Sequence, residues 1–344
     1  MGTVLVTGGC GYIGSHTCIC LIKAGYKVLI LDSLINSYES SYLKIINTLK
    51  SEKIAYINKI AFTKGDIRDK KLLSKLFSNR QKTGDPIFAV VHFAGLKSIE
   101  SSIKFPLRYW EANVESTLCL LSIMEKFECY SIIFSSSASV YKPNDFSLLQ
   151  EESLLEPSSP YGRTKLAVEL VLRDLYESSI QKWRIANLRY YNPVGAHEKG
   201  LLGEKPKENR SNLFPAINKV LKKEQEKLLV FGDNWPTNDG TCVRDFIHVM
   251  DLAEAHTATL NYLIKKEPKI LTLNIGTGVG TSILEIIKKF NEIGVDLPHS
   301  FVKKRSGDYP FLVADNKLAL KLLKWSPKRE LIDMCKDSIN NVLC

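Results

Sequence analysis

The amino-acid sequence predicts a doubly wound α/β fold: a parallel-sheet dinucleotide-binding domain with helices on both faces, followed by a smaller C-terminal substrate-binding lobe. Three observations carry this. The run Thr3-Val4-Leu5-Val6-Thr7 reads as a buried strand that enters the glycine-rich turn Gly8-Gly9-Cys10-Gly11-Tyr12-Ile13-Gly14 and continues from Tyr12 to Ala24 with helical apolar spacing. Strand-like and helix-like segments then alternate through the first half, which implies βαβ units and a parallel sheet. Beyond Tyr191-Asn192-Pro193 the alternation fades, and stretches rich in Gly, Pro and Asn, such as Gly232 to Thr241, interrupt it.

The opening turn has a physical purpose. Glycine lets the backbone turn tightly and approach a pyrophosphate, which the N–H groups and dipole of the following helix stabilise. Both Gly9-x-Gly11-x-x-Gly14 and Gly8-x-x-Gly11-x-x-Gly14 satisfy the fingerprint. At the end of the next apolar run, Lys27 to Leu31, stands Asp32. An acid there accepts from both ribose hydroxyls and repels a 2′-phosphate, so the cofactor expected is NAD rather than NADP. Further strands are expected near Ala61 to Lys64, Ile87 to Phe93, Ser131 to Ser135 and Trp183 to Arg189, with a long helix around Pro106 to Phe127. Gly65-Asp66-Ile67, His92 to Lys97 and Ser135-Ser136-Ser137 follow or end these strands, where ligands of such sheets sit, and are expected to line one cleft.

The proton chemistry is read from Tyr161-Gly-Arg-Thr-Lys165. In a helix, positions four apart share a face, so the phenol and the ammonium can serve one bound molecule. A free tyrosine, with a pKa near ~10, is a poor base unless cations such as a lysine and an oxidised nicotinamide favour the phenolate. The Tyr-x-x-x-Lys spacing alone arises by chance; the upstream serines and the glycine turn give it meaning.

Composition excludes several classes. No apolar run approaches the ~18 residues of a membrane span, and the chain enters a strand at once without a secretory leader pattern, so a cytoplasmic enzyme is expected. The eight cysteines form no C-x-x-C pair and read as reduced packing thiols. His92, His248 and His256 lack partners at metal spacing and read as structural, so no metal is expected. The net charge of +10 comes from lysines scattered among glutamates, as in Lys219 to Lys227, which reads as a solvated face rather than a nucleic-acid surface. The expected domains are 1–190, holding NAD, and 191–344, mainly the substrate lobe, with some segments returning to the first.

With these motifs the sequence resembles the extended short-chain dehydrogenase/reductases, and within them the UDP-galactose 4-epimerases. The stretches Gly8 to His16, His92 to Lys97, Ser135 to Tyr141, Leu188 to Ala196 and Val243 to Val249 carry the resemblance. It implies a Rossmann domain, a retained NAD, and reversible interconversion of UDP-galactose and UDP-glucose. Tyr161 removes the 4-hydroxyl proton as hydride leaves C4 of the sugar, and the 4-keto sugar rotates before hydride returns. Ser137 hydrogen-bonds the 4-oxygen; Lys165 holds the nicotinamide ribose and lowers the tyrosine pKa.

The resemblance also places Gly8, Gly11, Tyr12, Ile13, Gly14, Asp32, Asn36, Ser37, Asp66, Ile67, Phe93, Ala94, Gly95, Lys97, Asn113 and Tyr191 around the cofactor. Lys97, Asn192, Asn212, Leu213, Leu229, Phe231, Arg244, Arg305, Asp308 and Leu312 fall around the UDP-sugar. Arginines suit a diphosphate, an aromatic ring suits uracil, and an aspartate suits ribose hydroxyls. Leu312 falls where the family gates N-acetylated sugars, and Tyr191 adds a hydroxyl near the cofactor where relatives carry phenylalanine. A homodimer through the helices at Pro106 to Phe127 and Tyr161 to Ser179 is implied. Two other readings remain open. A nucleotide-sugar 4,6-dehydratase would carry an acidic pair after the catalytic hydroxyl, where this chain has Ala138 and Ser139; a silent NAD-sensing module would lack Tyr161, Lys165 or Ser137.

Overall fold

The computed structural model describes residues 2–143, 146–179, 182–207, 212–305 and 307–343; Cys344, one of the expected packing thiols, lies outside the described residues. The chain opens with β1 (Thr3–Thr7), α1 (Tyr12–Lys23), β2 (Lys27–Asp32), α2 (Ser40–Ser51), β3 (Ile60–Lys64), α3 (Lys70–Lys82) and β4 (Ile87–His92). Next come α4 (Ile99–Lys104), α5 (Pro106–Trp110), α6 (Ser116–Lys126), β5 (Ser131–Ser137), α7 (Pro160–Ser178) and β6 (Arg184–Tyr190). The remainder holds β7 (Asn192–Val194), α8 (Leu213–Leu221), β8 (Leu228–Phe231), β9 (Val243–His248), α9 (Val249–Leu263) and β10 (Lys269–Ile275). It ends with β11 (Gly280–Ser282), α10 (Ile283–Glu292), β12 (His299–Val302), β13 (Phe311–Leu312), α11 (Lys317–Leu323) and α12 (Leu331–Leu343).

Among the described residues the main sheet has seven parallel strands in the order β10-β6-β5-β4-β1-β2-β3. Its strands are runs of branched aliphatics because both faces are covered. The strand period of two sends Val4 and Val6 to one face, with Ile19 and Ile22 of α1, and Leu5 to the other, with Leu73, Phe77 and Leu120. Strand order reverses between β2 and β4, on either side of β1, so the crevice at the carboxyl end of β1 is the place for a ligand. A separate apolar cluster with Phe214, Ile217, Phe246, Ile286 and Phe290 holds the smaller lobe together. From beyond residue 190, β10 returns to pair with β6, and α9 packs on α1.

The expected unbroken helix from Pro106 to Phe127 is instead two α-helical segments, α5 and α6, joined by a π-helical turn at Glu111–Glu115 that contains the buried Asn113. The start of α7 is fixed locally: Ser159 caps it by accepting from the Gly162 N–H, and Pro160 occupies the first helical position. Tyr161, Lys165 and Glu169 therefore fall on one face at successive turns.

Candidate active site

The strand ends and the smaller lobe enclose a cleft of about 1350 Å³. Its floor at the β1–α1 turn is made by Gly8, Gly11, Tyr12, Ile13 and Gly14. Gly8 has φ +69°, and a Cβ on Gly14 would sit 2.4 Å from the Gly8 carbonyl oxygen, so this turn closes against α1 only without side chains. No side chain caps α1 at Gly11, which leaves the first-turn N–H groups facing a cleft that suits a pyrophosphate. The turn thus fits a dinucleotide on the backbone alone.

Asp32, at the end of β2, is buried. One carboxylate oxygen accepts from the Cys10 N–H at 2.9 Å, and the other from the Leu34 N–H at 2.8 Å and the Ser37 hydroxyl at 2.7 Å. Ser37 lines the cleft but spends its proton on Asp32, orienting the acid. Asn36, Ile67 and Asp66 extend this wall, and the guanidinium of Arg68 at 2.7 Å holds the Asp66 carboxyl below its ordinary range. After β4, Phe93, Ala94, Gly95 and Lys97 line the cleft, and Lys97 pairs with Glu204 at 2.8 Å. Asn113 does not line it. Its amide oxygen accepts from the Leu96 N–H at 2.7 Å, and its amide nitrogen donates to the Leu96 carbonyl at 3.1 Å and to the Thr164 hydroxyl at 2.9 Å. These bonds tie the loop that precedes Lys97 to α7.

Ser137, Tyr161 and Lys165 meet at the base of the cleft. The Lys165 Nζ donates to the Ser135 carbonyl at 2.7 Å and stands 5.8 Å from the Tyr161 ring centre. Burial lowers the Lys165 ammonium to about 8, opposed by Glu169. Burial also pushes the Tyr161 phenol up to about 12, opposed by a hydrogen bond with Ser137. Desolvation is thus the largest influence on the phenol, and it is this that the Lys165 ammonium and the expected nicotinamide would oppose.

Across the cleft lie Tyr191, Asn192, Asn212, Leu213, Leu229, Phe231, Arg244, Arg305, Asp308 and Leu312. The Asn192 amide donates to the Asp245 carbonyl at 3.0 Å. Arg244 pairs with Asp308 at 2.8 Å, and the Arg305 guanidinium lies 3.6 Å from the Phe231 ring centre. The Tyr191 hydroxyl is buried with no hydrogen-bond partner among the described residues. Leu312 packs beside Tyr191, Tyr141 and Leu149.

The histidines are structural. His92 bridges the Thr7 and Thr117 hydroxyls, His256 bonds the Leu252 carbonyl, and His248 caps α9 and contacts Asp337. Among the described residues no group of His, Cys, Asp and Glu could hold a metal ion, and no helix is long and apolar enough to cross a membrane.

Sequence reasoning missed two sets of residues. Glu204 and Lys205 line the cleft from a segment with no motif of its own, and Lys205 lies over the ring of Tyr38, another lining residue. Behind the tyrosine, Glu169 and Arg189 form a buried fork at 3.0 and 2.6 Å. Extending the four-residue spacing one turn past Lys165 would have reached Glu169.

The chain is 44% identical over 337 residues to the UDP-glucose 4-epimerase of Yersinia pestis, covering 97% of this chain and 96% of that protein. The crystal structure of a UDP-glucose-4-epimerase from Stenotrophomonas maltophila, with bound NAD and formylated UDP-arabinopyranose, matches with a TM-score of 0.93 at 42% identity, covering 100% of this chain and 98% of that one. The UDP-glucose 4-epimerase of Bifidobacterium longum in complex with NAD+ and UDP matches with a TM-score of 0.89 at 39% identity, covering 98% of this chain and 97% of that one. Residues 4–276 match one family throughout the turn, the strand ends and the Tyr161 helix described above, and the chain belongs to the NAD dependent epimerase/dehydratase family.

Proposed function

We propose that this protein interconverts UDP-galactose and UDP-glucose by reversible oxidation at C4 of the sugar, on an NAD that it retains, with Tyr161 as the base. The observation that carries the reading is the meeting of Tyr161, Ser137 and Lys165 at the base of a cleft whose other end is a bare glycine turn beside Asp32. Bound NAD supplies the hydride acceptor and donor. Tyr161 takes the proton of the 4-hydroxyl and returns it, and Ser137 hydrogen-bonds the same oxygen. Lys165 holds the nicotinamide ribose and favours the phenolate. The β1–α1 turn takes the pyrophosphate and Asp32 the adenine ribose, with Asn36, Asp66, Ile67 and Phe93 around them.

Arg244 and Arg305 take the UDP diphosphate, and Phe231, Leu229, Asn212, Leu213 and Asp308 take the uridine. Residues 1–190 serve chiefly the cofactor and 191–344 chiefly the substrate, β10 excepted. A dimer fits the apolar side chains left exposed on adjoining helices: Ile103, Leu107, Trp110, Leu118 and Leu170 of α4, α5, α6 and α7. A cytoplasmic location fits the seven described cysteines, all buried and unpaired.

Purified protein incubated with UDP-galactose and no added NAD tests the reading. Formation of UDP-glucose supports both the reaction and the retained cofactor. Absence of turnover, or accumulation of a 4-keto-6-deoxy sugar from UDP-glucose, would refute it in favour of the silent module or the dehydratase.

A further inference from the structure

Three consecutive residues of β5 each engage one of three residues on a single face of α7. The Ser135 carbonyl accepts from Lys165, the Ser136 hydroxyl donates to the Glu169 carboxylate, and Ser137 lies close enough to Tyr161 to oppose the upward push on its phenol. Arg189, opposite Ser136 in register on β6, closes the arrangement with a two-point contact to Glu169 at 3.0 and 2.6 Å. Its remaining nitrogen donates to the Tyr141 hydroxyl at 2.9 Å and the Glu151 carbonyl at 2.8 Å, and Tyr141 in turn donates to Asn274 of β10 at 2.7 Å. Ser136, Glu169 and Arg189 are 1%, 6% and 4% exposed, so the fork is held in the interior by three neighbouring strands.

We propose that Glu169 and Arg189 are positioning residues for proton transfer: their fork fixes the rotation and depth of α7 against β5, so that Tyr161 and Lys165 meet Ser137 and Ser135. This rests on Tyr161 being the base. A helix rotates about 100° per residue, so a lock two turns beyond Tyr161 sets the direction of the phenol as well as its height. A buried ion pair is poor evidence of stability, since well-packed apolar residues often do as well; a fork with planar geometry does specify an arrangement. Glu169 also supplies the negative charge that opposes the loss of the Lys165 proton. The other titratable groups that face Lys165 are Tyr161 on its own helix and His92 on β4, which burial holds uncharged with a pKa of about 3.

The holoenzymes Glu169→Gln, Arg189→Lys and, as reference, Tyr161→Phe are compared for kcat, KM and the pH profile of kcat with UDP-galactose, and for folding by circular dichroism. In Glu169→Gln, kcat falls by about tenfold or more with KM within about threefold, the pattern of lost alignment rather than lost binding. Its alkaline limb also moves to lower pH, because the carboxylate that opposes the loss of the Lys165 proton is gone. Arg189→Lys keeps both charges but loses the second contact, so kcat falls about threefold to tenfold and the alkaline limb stays in place. A folded Glu169→Gln with wild-type kcat and pH profile, beside an inactive Tyr161→Phe, overturns the positioning role alone. If Glu169→Gln does not fold, wild-type kcat in Arg189→Lys overturns it, as does failure of both to fold, which makes the pair purely structural. An active Tyr161→Phe overturns the proton-transfer reading itself.

Discussion

Replacing Lys165 with methionine, which keeps most of the aliphatic stem and removes the charged end, tests how the phenol becomes a base. Burial, opposed by Ser137, holds Tyr161 at about 12 before the charge of Lys165 is counted. Bringing it to 7 takes roughly 7 kcal/mol, at 1.36 kcal/mol for each tenfold change in the ionisation constant. The Lys165 ammonium stands 5.8 Å from the ring centre. At that distance and an effective dielectric constant of about 20, one cation contributes roughly 3 kcal/mol, a factor of about 100 in phenolate population. The remainder must come from the positive nicotinamide and from hydrogen bonds to the oxygen. A base acts when deprotonated, so activity rises with pH through the tyrosine pKa, and removing a nearby cation moves that rise upward. In Lys165→Met the acid limb of kcat is therefore expected to move up by about two pH units, with about 100-fold less activity at neutral pH. Turnover of UDP-galactose is measured from pH 6 to 10, normalised to the NAD released from denatured protein. An unmoved acid limb in protein that keeps its NAD would refute the electrostatic account.

Tyr161→Phe is expected to fold and keep NAD while turnover falls by at least ~10²-fold, read by assay and by released NAD. Gly14→Ala places a methyl 2.4 Å from the Gly8 carbonyl, so NAD occupancy should drop and thermal unfolding reveal a loss of ~1–3 kcal/mol. Leu312→Tyr should abolish conversion of UDP-N-acetylglucosamine while largely sparing UDP-galactose; the wild type should convert the N-acetyl sugar weakly, because an aliphatic wall gives room but no partner for the amide. Leu107, 75% exposed in the single chain, should be part of the dimer contact, so Leu107→Asp should sediment as a folded monomer.

What could be read from the sequence was local. The glycine turn, its flanking strand and helix, Asp32 and the Tyr161/Lys165 face all follow from periods of 2 and 3.6 residues over short spans. What could not be read depends on partners far apart in the chain. Nothing near Lys97 announces Glu204, and nothing near Phe231 announces that Arg305 will lie on its ring. Asn113 sits in a helical pattern that gave no sign of a π-turn, and the turn accompanies a side chain bonded to Leu96 and Thr164. The tyrosine pKa is legible only in part: spacing places the ammonium near the phenol, but only the folded surroundings reveal how much desolvation opposes it.

The ion pairs around the cleft divide by exposure into those suited to move and those suited to stay. Arg244 with Asp308, and Lys97 with Glu204, are partly exposed, with side chains between 12% and 38% accessible. Such pairs are worth about 0–1 kcal/mol, so an incoming diphosphate, a doubly charged partner able to take two hydrogen bonds from one guanidinium, can displace the aspartate at little cost. The Glu169–Arg189 fork is different: opening it would strand a buried charge, a loss of about 3–5 kcal/mol. Under the proposed function, the partly exposed pairs are therefore the ones suited to exchange partners as a UDP-sugar arrives and leaves. The buried fork behind Tyr161 is suited to stay in one place, as the proposed turning of the sugar within the cleft requires.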